Sequence, residues 1–224
     1  MKLHYFSCQQ QSHPVFLQWC EECKKINLWS YWQGSLNPKI MVVGQDWGCP
    51  EESTVMDSIR AINAGSTDPY HYDKHNPTDS NLVELFSSIG IDISIPDSRL
   101  FFTNYILGYR NSGLNGGLKK SWFRDCEPFF RRLVSILNPR IIICLGRNTF
   151  QSVTRTMGHR ITISNYNRYI ESKMNPTEIG GKMIFAEAHC GYFGTINRNR
   201  GSGKNGLELQ KEDWKRIGAA IDRV

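Results

Sequence analysis

The chain has 224 residues, 40% of them apolar and 21% charged, with a net charge of +6. This suits one globular domain with a real core and excludes a disordered chain, and no apolar run approaches the roughly 18–20 residues of a membrane span. The positive excess is compatible with a polyanionic partner without requiring one; the polar stretch Met1 to Pro14 has no apolar secretory segment, so a cytoplasmic protein with its seven cysteines reduced is expected.

In chain order, the first apolar run is Lys39–Val43, which reads as a strand. A long, polar, irregular segment, Cys49–Asn76, follows; loops of that length in compact domains are often functional. Asp79–Ile89 places Leu82, Leu85, Phe86 and Ile89 at helical spacing, and Leu100–Tyr105 is a second strand. Ser121–Leu137 repeats the helical pattern with Trp122, Phe129, Phe130, Leu133, Val134 and Leu137, and Pro139 stops it before the third strand, Arg140–Leu145. The fourth strand is Lys182–Ala188; Asn197–Gly206 is a basic, glycine-rich surface loop, and Leu207–Ile221 a closing helix. Near-continuous apolar strands alternating with helices predict a single α/β domain over residues 1–224. Its expected form is a three-layer α/β/α sandwich around a central, mainly parallel four-stranded sheet.

Ligands of such sheets bind beyond the carboxyl ends of the strands. Strand one runs into Gly44-Gln45-Asp46-Trp47-Gly48, strand two ends in Thr103-Asn104-Tyr105, and strand four runs into His189-Cys190-Gly191-Tyr192-Phe193-Gly194. An acid, an amide and an imidazole therefore converge on one rim. A carboxylate can orient water and stabilise positive charge developing on a sugar. An amide can read a base edge, and an imidazole can stabilise negative charge on a departing base. Each also has a plainer reading: Asp46 as a turn or helix cap, Asn104 as a partner for strand-end backbone, and His189 as a hydrogen-bonded core residue.

The run Lys39-Ile40-Met41-Val42-Val43-Gly44-Gln45-Asp46 resembles the first motif of the uracil-DNA glycosylase superfamily, in which a strand delivers a Gly-Gln-Asp-Pro or Gly-Glu-Ala-Pro-Gly loop. His189 falls where the second motif begins, and Asn104 matches the base-reading Asn that follows an apolar strand. The resemblance spans about residues 20–220. It implies that Asp46 positions the attacking water or stabilises the oxocarbenium-like sugar. Gly44, Gln45 and neighbouring amides would contact base or phosphate, Asn104 would bind the extrahelical base, and His189 would face its carbonyl oxygen. Flipping the base out of the stack would leave a gap for Tyr192 or Phe193 to fill, with Arg198, Arg200 and Lys204 gripping phosphates. Tyr70 or Tyr72 would stack on the base. Trp47 and Cys190 replace the prolines usual in the two motifs, and Gly48 stands where one branch has a Tyr that excludes 5-substituted bases.

The resemblance thus implies a monomeric, monofunctional DNA glycosylase that needs no cofactor and acts on uracil or a 5-modified pyrimidine, in repair or in defence against modified phage DNA. No lysine stands at a motif position for lyase chemistry. A non-catalytic DNA-binding or damage-sensing protein, and a nucleotide hydrolase, are the rival readings. Cys20-Glu21-Glu22-Cys23 and Cys126 resemble the cluster ligands of one branch, but Gly108 falls at the intervening ligand, so no metal is expected. Asp68-Pro69-Tyr70-His71 follows no strand, and Gly201-Ser202-Gly203-Lys204-Asn205 lacks the hydroxyl residue and the preceding strand of a phosphate loop.

Overall fold

The computed structural model describes residues 34–46, 77–93, 97–106, 118–201 and 203–223. Its elements are β1 (Ile40–Gly44), α1 (Pro77–Ser87), β2 (Leu100–Asn104), α2 (Lys120–Leu137), β3 (Ile141–Leu145), α3 (Arg147–Thr156), α4 (Tyr166–Glu171), β4 (Thr177–Ile179), β5 (Lys182–Glu187), α5 (Tyr192–Asn199) and α6 (Gly206–Ile221). The protein is an α/β fold with a five-stranded sheet in the order β2-β1-β3-β5-β4. The first three pairings are parallel, and β4 pairs antiparallel with β5.

The four expected strands are present within a residue or two of their predicted ends, but the sheet has a fifth. Thr177–Ile179 is only three residues long, and its middle residue, Glu178, is exposed, so it shows no apolar run. Tertiary pairing makes it a strand: Ile179 faces Lys182 across Gly180 and Gly181, whose φ values of 59° and 73° fit a two-residue hairpin turn.

Alternation along the parallel strands splits the core in two. Met41, Val43, Phe101, Ile142, Cys144, Ile184 and Ala186 join residues of α2, α3 and α4 in one apolar cluster. Ile40, Val42, Leu100, Ile141, Ile143 and Phe185 join α1 and α6 in the other. Period-two side chains on a strand point to opposite faces, so helices cover both faces and leave the carboxyl edge of the sheet for the site. Residue 138 ends α2 in the left-handed conformation (Asn138, φ 45°), its N–H closing on Val134 O ahead of Pro139.

Three helices have no counterpart in the sequence reading. α3, with the sequence Arg-Asn-Thr-Phe-Gln-Ser-Val-Thr-Arg-Thr, buries four hydroxyl side chains with Phe150 and Val153, so its apolar pattern is thin. α4 is a six-residue helix capped by Asn165. α5 reaches Asn199, so the surface loop expected over Asn197–Gly206 is confined to the residues between α5 and α6. Among the described residues, no helix is long and apolar enough to cross a membrane.

Candidate functional site

The strand order places the chemistry-bearing ends side by side. Asn104 closes β2, Gly44-Gln45-Asp46 leaves β1, Gly146 follows β3, and His189 follows β5. From β1 the chain crosses to β2 on one side and later to β3 on the other, so the switch point of the sheet lies between β1 and β3. Adjacent strands lie about 4.8 Å apart, so β1 and β5 flank β3 with roughly two strand spacings between them. Gly146 turns the chain here at φ 101°, a conformation that favours glycine, and a Cβ on residue 146 would meet the His189 Cβ at an ordinary 3.9 Å.

Gly44 and Asn104 are register partners. Hydrogen bonding continues past the strand ends, with Tyr105 N donating to Gly44 O at 2.9 Å and Ile106 N to Gln45 O at 3.0 Å. The Asn104 side chain lies across Gly44 so closely that a Cβ on residue 44 would come within 2.1 Å of Asn104 Oδ1. Glycine at 44 is therefore what lets the amide stand at the rim. Gln45 links the acid to a residue that sequence reasoning missed: Asn148 Nδ2 donates to Gln45 Oε1 at 3.2 Å, and Gln45 Nε2 approaches Asp46 Oδ2 at 3.4 Å. Asn148 is in the first turn of α3, directly after Gly146. The usable signal was the glycine at the end of an apolar strand.

His189 is held from several directions. Gly191 N donates to its Nδ1 at 2.9 Å, so the neutral ring carries its proton on Nε2. Burial pushes the imidazole below its ordinary value, against the opposing pull of the Asp46 carboxylate. At neutral pH it is thus an uncharged N–H donor within electrostatic reach of an acid. Neither Gly191 nor Gly194 leaves room for a side chain: a Cβ would meet Thr78 Oγ1 at 2.8 Å in the first case and the His189 carbonyl oxygen at 2.0 Å in the second. Cys190 beside it is no nucleophile. Burial pushes its thiol up to about 12, and a thiol that stays protonated attacks poorly.

α5 begins just after this turn and exposes Tyr192, Phe193 and Ile196 together. Their contact with solvent is unusual for large apolar side chains grouped on one helix face. Arg200 and Lys204 follow and are exposed. Arg198 departs from the phosphate-gripping role expected of it. It is 5% exposed and makes a bidentate pair with Asp213, at 2.7 and 3.0 Å, and a 2.9 Å contact with Glu171. The periodicity of α5 turns residue 198 inward while 192, 193 and 196 face out, so this guanidinium ties α5 to α6 and α4.

Trp47, Gly48, Tyr70 and Tyr72 lie outside the described residues, as do Cys20, Cys23 and Gly108. Cys126 is buried, and the described residues contain no His, Cys, Asp and Glu group suited to a metal. No family model and no curated protein sequence matches this chain.

Below the His189 turn lies a buried acid that sequence reasoning also missed. Glu187 is fully buried, and neither carboxyl oxygen has a hydrogen-bond partner among the described residues. The Asn175 amide beside it is already spent on the carbonyls of Ile170 and Ala186. Desolvation, with Asp213 adding to it, holds Glu187 well above the ordinary carboxyl value, despite the opposing pull of Arg216, the nearby Asn175 amide and Arg198. Below the unfolded value both states are protonated. As pH rises past that value only the unfolded chain ionises, so stability falls through the window up to the raised folded value. Glu187→Gln is therefore expected to flatten this dependence and raise Tm at neutral pH by about 2–4 °C, the shift of roughly 1 kcal/mol in a chain this size. Thermal melts at pH 5 and pH 8 check it; the same pH dependence in both proteins would contradict it.

Proposed function

We propose that this protein is a monofunctional DNA glycosylase of the uracil-DNA glycosylase type, acting on a flipped-out pyrimidine. The observation that supports this reading is the convergence of Asp46, Asn104 and a neutral His189, with its Nε2 as donor, on one glycine-floored rim. Two core clusters with helices on both sheet faces support the three-layer α/β/α sandwich that goes with it.

In this reading the C1′–N bond of the nucleotide breaks and its electron pair leaves with the base, spreading onto a ring carbonyl oxygen. His189 Nε2–H donates a hydrogen bond to that oxygen, and stabilisation is greatest as charge accumulates there. Asp46 offsets positive charge on the sugar and takes the proton of the water that adds to C1′. Asn104 offers a donor and an acceptor to the base edge. Gln45, oriented by Asn148, fixes the carboxylate. Tyr192 or Phe193, joined by Ile196, fills the space left in the stack, while Arg200 and Lys204 meet phosphates. The protein acts as a cytoplasmic monomer on DNA, in repair or in defence against modified phage DNA.

Gly48 stands in the motif where one branch of the superfamily carries a Tyr that excludes 5-substituted bases, and glycine has no side chain to exclude them, so uracil and 5-substituted pyrimidines are both candidate substrates. The test is a panel of oligonucleotides carrying uracil, thymine, 5-hydroxymethyl or glucosylated pyrimidines, scored for alkali-labile abasic sites. At least one altered base should be excised. No abasic site with any member, in single- or double-stranded form, would overturn the reading.

A further inference from the structure

We propose that Asn81 and Gln210 are positioning residues for His189, two side-chain amides that grip the successive carbonyls of Cys190 and His189 from two neighbouring helices, α1 and α6. This rests on the reading of His189 as the donor facing the base.

The turn that presents His189 is the junction between β5 and α5, where strand pairing has ended and the next helix has just begun. Gln210 of α6 donates from Nε2 to the His189 carbonyl at 3.0 Å. Asn81 of α1 donates from Nδ2 to the Cys190 carbonyl at 2.7 Å and approaches Thr195 Oγ1 at 3.5 Å. Thr195 in turn bonds the Gly191 carbonyl at 3.1 Å. Gly194 lets α5 close against the same His189 carbonyl. The carbonyls leading to Gly191 are thus fixed on each side, and Gly191 is the residue whose N–H sets the tautomer of the ring.

Gln210 is the more telling of the two. It is fully buried in α6, and its Oε1 has no hydrogen-bond partner among the described residues. Its neighbours one turn either way, Trp214 and Gly206, are also buried. A buried amide with half its capacity unmet is a poor choice for packing, because an apolar side chain of the same shape avoids the desolvation cost. Its use at this position is explained by the one bond it does make, to the backbone of His189. A local rule broken without gain in packing commonly marks a functional site.

Gln210→Met keeps length and shape while removing the donor, and Asn81→Ala removes the second grip from a half-buried helix position. Each variant is measured three ways: by thermal melting, by the 15N ring signals of His189, and by single-turnover excision of the best oligonucleotide beside affinity for an abasic-site duplex. The parent should show one Nε2–H tautomer. In Gln210→Met, Tm should change little, because the cost of the unpaired His189 carbonyl offsets the relief of the unmet Oε1; the ring signals should shift toward a tautomer average, and the excision rate should fall by about ten- to a hundredfold, with abasic-duplex affinity nearly unchanged. Asn81→Ala should shift the signals the same way and tests the idea in a folded background if Gln210→Met does not fold. Ring signals unchanged from the parent in every folded variant would overturn the proposal. A parent that excises nothing would overturn the glycosylase reading instead, while the ring signals would still decide whether the two amides hold the imidazole.

Discussion

Asp46→Asn is expected to abolish most excision, by about a hundred- to ten-thousandfold, while leaving folding and DNA affinity close to those of the parent. The substitution keeps the size of the side chain and an oxygen that can accept from Gln45 Nε2, so the link from Asn148 through Gln45 survives. What it removes is the negative charge and the ability to take a proton from water. The glycosylase reading assigns both to Asp46, because it is the carboxylate leaving β1 beside the switch point of the sheet. Single-turnover excision, a thermal melt and binding to an abasic-site duplex separate the effects. Near-normal excision would reduce Asp46 to a capping residue.

His189→Ala should lower the chemical rate by about a hundredfold or more, the scale of one lost electrostatic stabiliser. Binding to an abasic-site duplex should weaken much less, since the base that meets Nε2 is absent there. The protonation state gives a second readout. The folded value is depressed, mainly by burial, so the neutral form is complete above the ordinary imidazole range and is lost as pH falls through the lowered value. Protonation at Nδ1 would also remove the acceptor of the Gly191 N–H. The excision rate should therefore hold at neutral and mildly alkaline pH and decline only on acidification below the ordinary imidazole value, and this limb should vanish in His189→Ala. Equal losses of binding and chemistry would make His189 a structural residue.

The residues that were legible and those that were not differ in kind. Asp46, Asn104 and His189 each follow an apolar run, and an apolar run is a signal the chain displays locally. Asn148, Asn81, Gln210 and Glu187 sit inside helices or at a strand end, with no motif around them. The roles of Asn148, Asn81 and Gln210 come from partners 103, 109 and 21 residues away in the chain, and that of Glu187 from charged groups on other elements. Arg198 shows the opposite error. Its basic neighbours suggested a phosphate contact, and only the packing of α5 on α6 reveals Asp213 waiting in the core.

Sequence by itself determined the α/β class, four of the five strands among the described residues, the three long helices and the strand ends that carry the acid, the amide and the imidazole. These follow from hydrophobic periodicity and from proline and glycine punctuation, which act over a few residues. Tertiary structure decided the short β4, the thinly patterned α3, the burial of Arg198 and the tautomer of His189. Each of those depends on a hydrogen bond, an ion pair or a loss of water supplied by a distant segment. Such terms are set by where the chain returns to itself, and no local window of residues contains them.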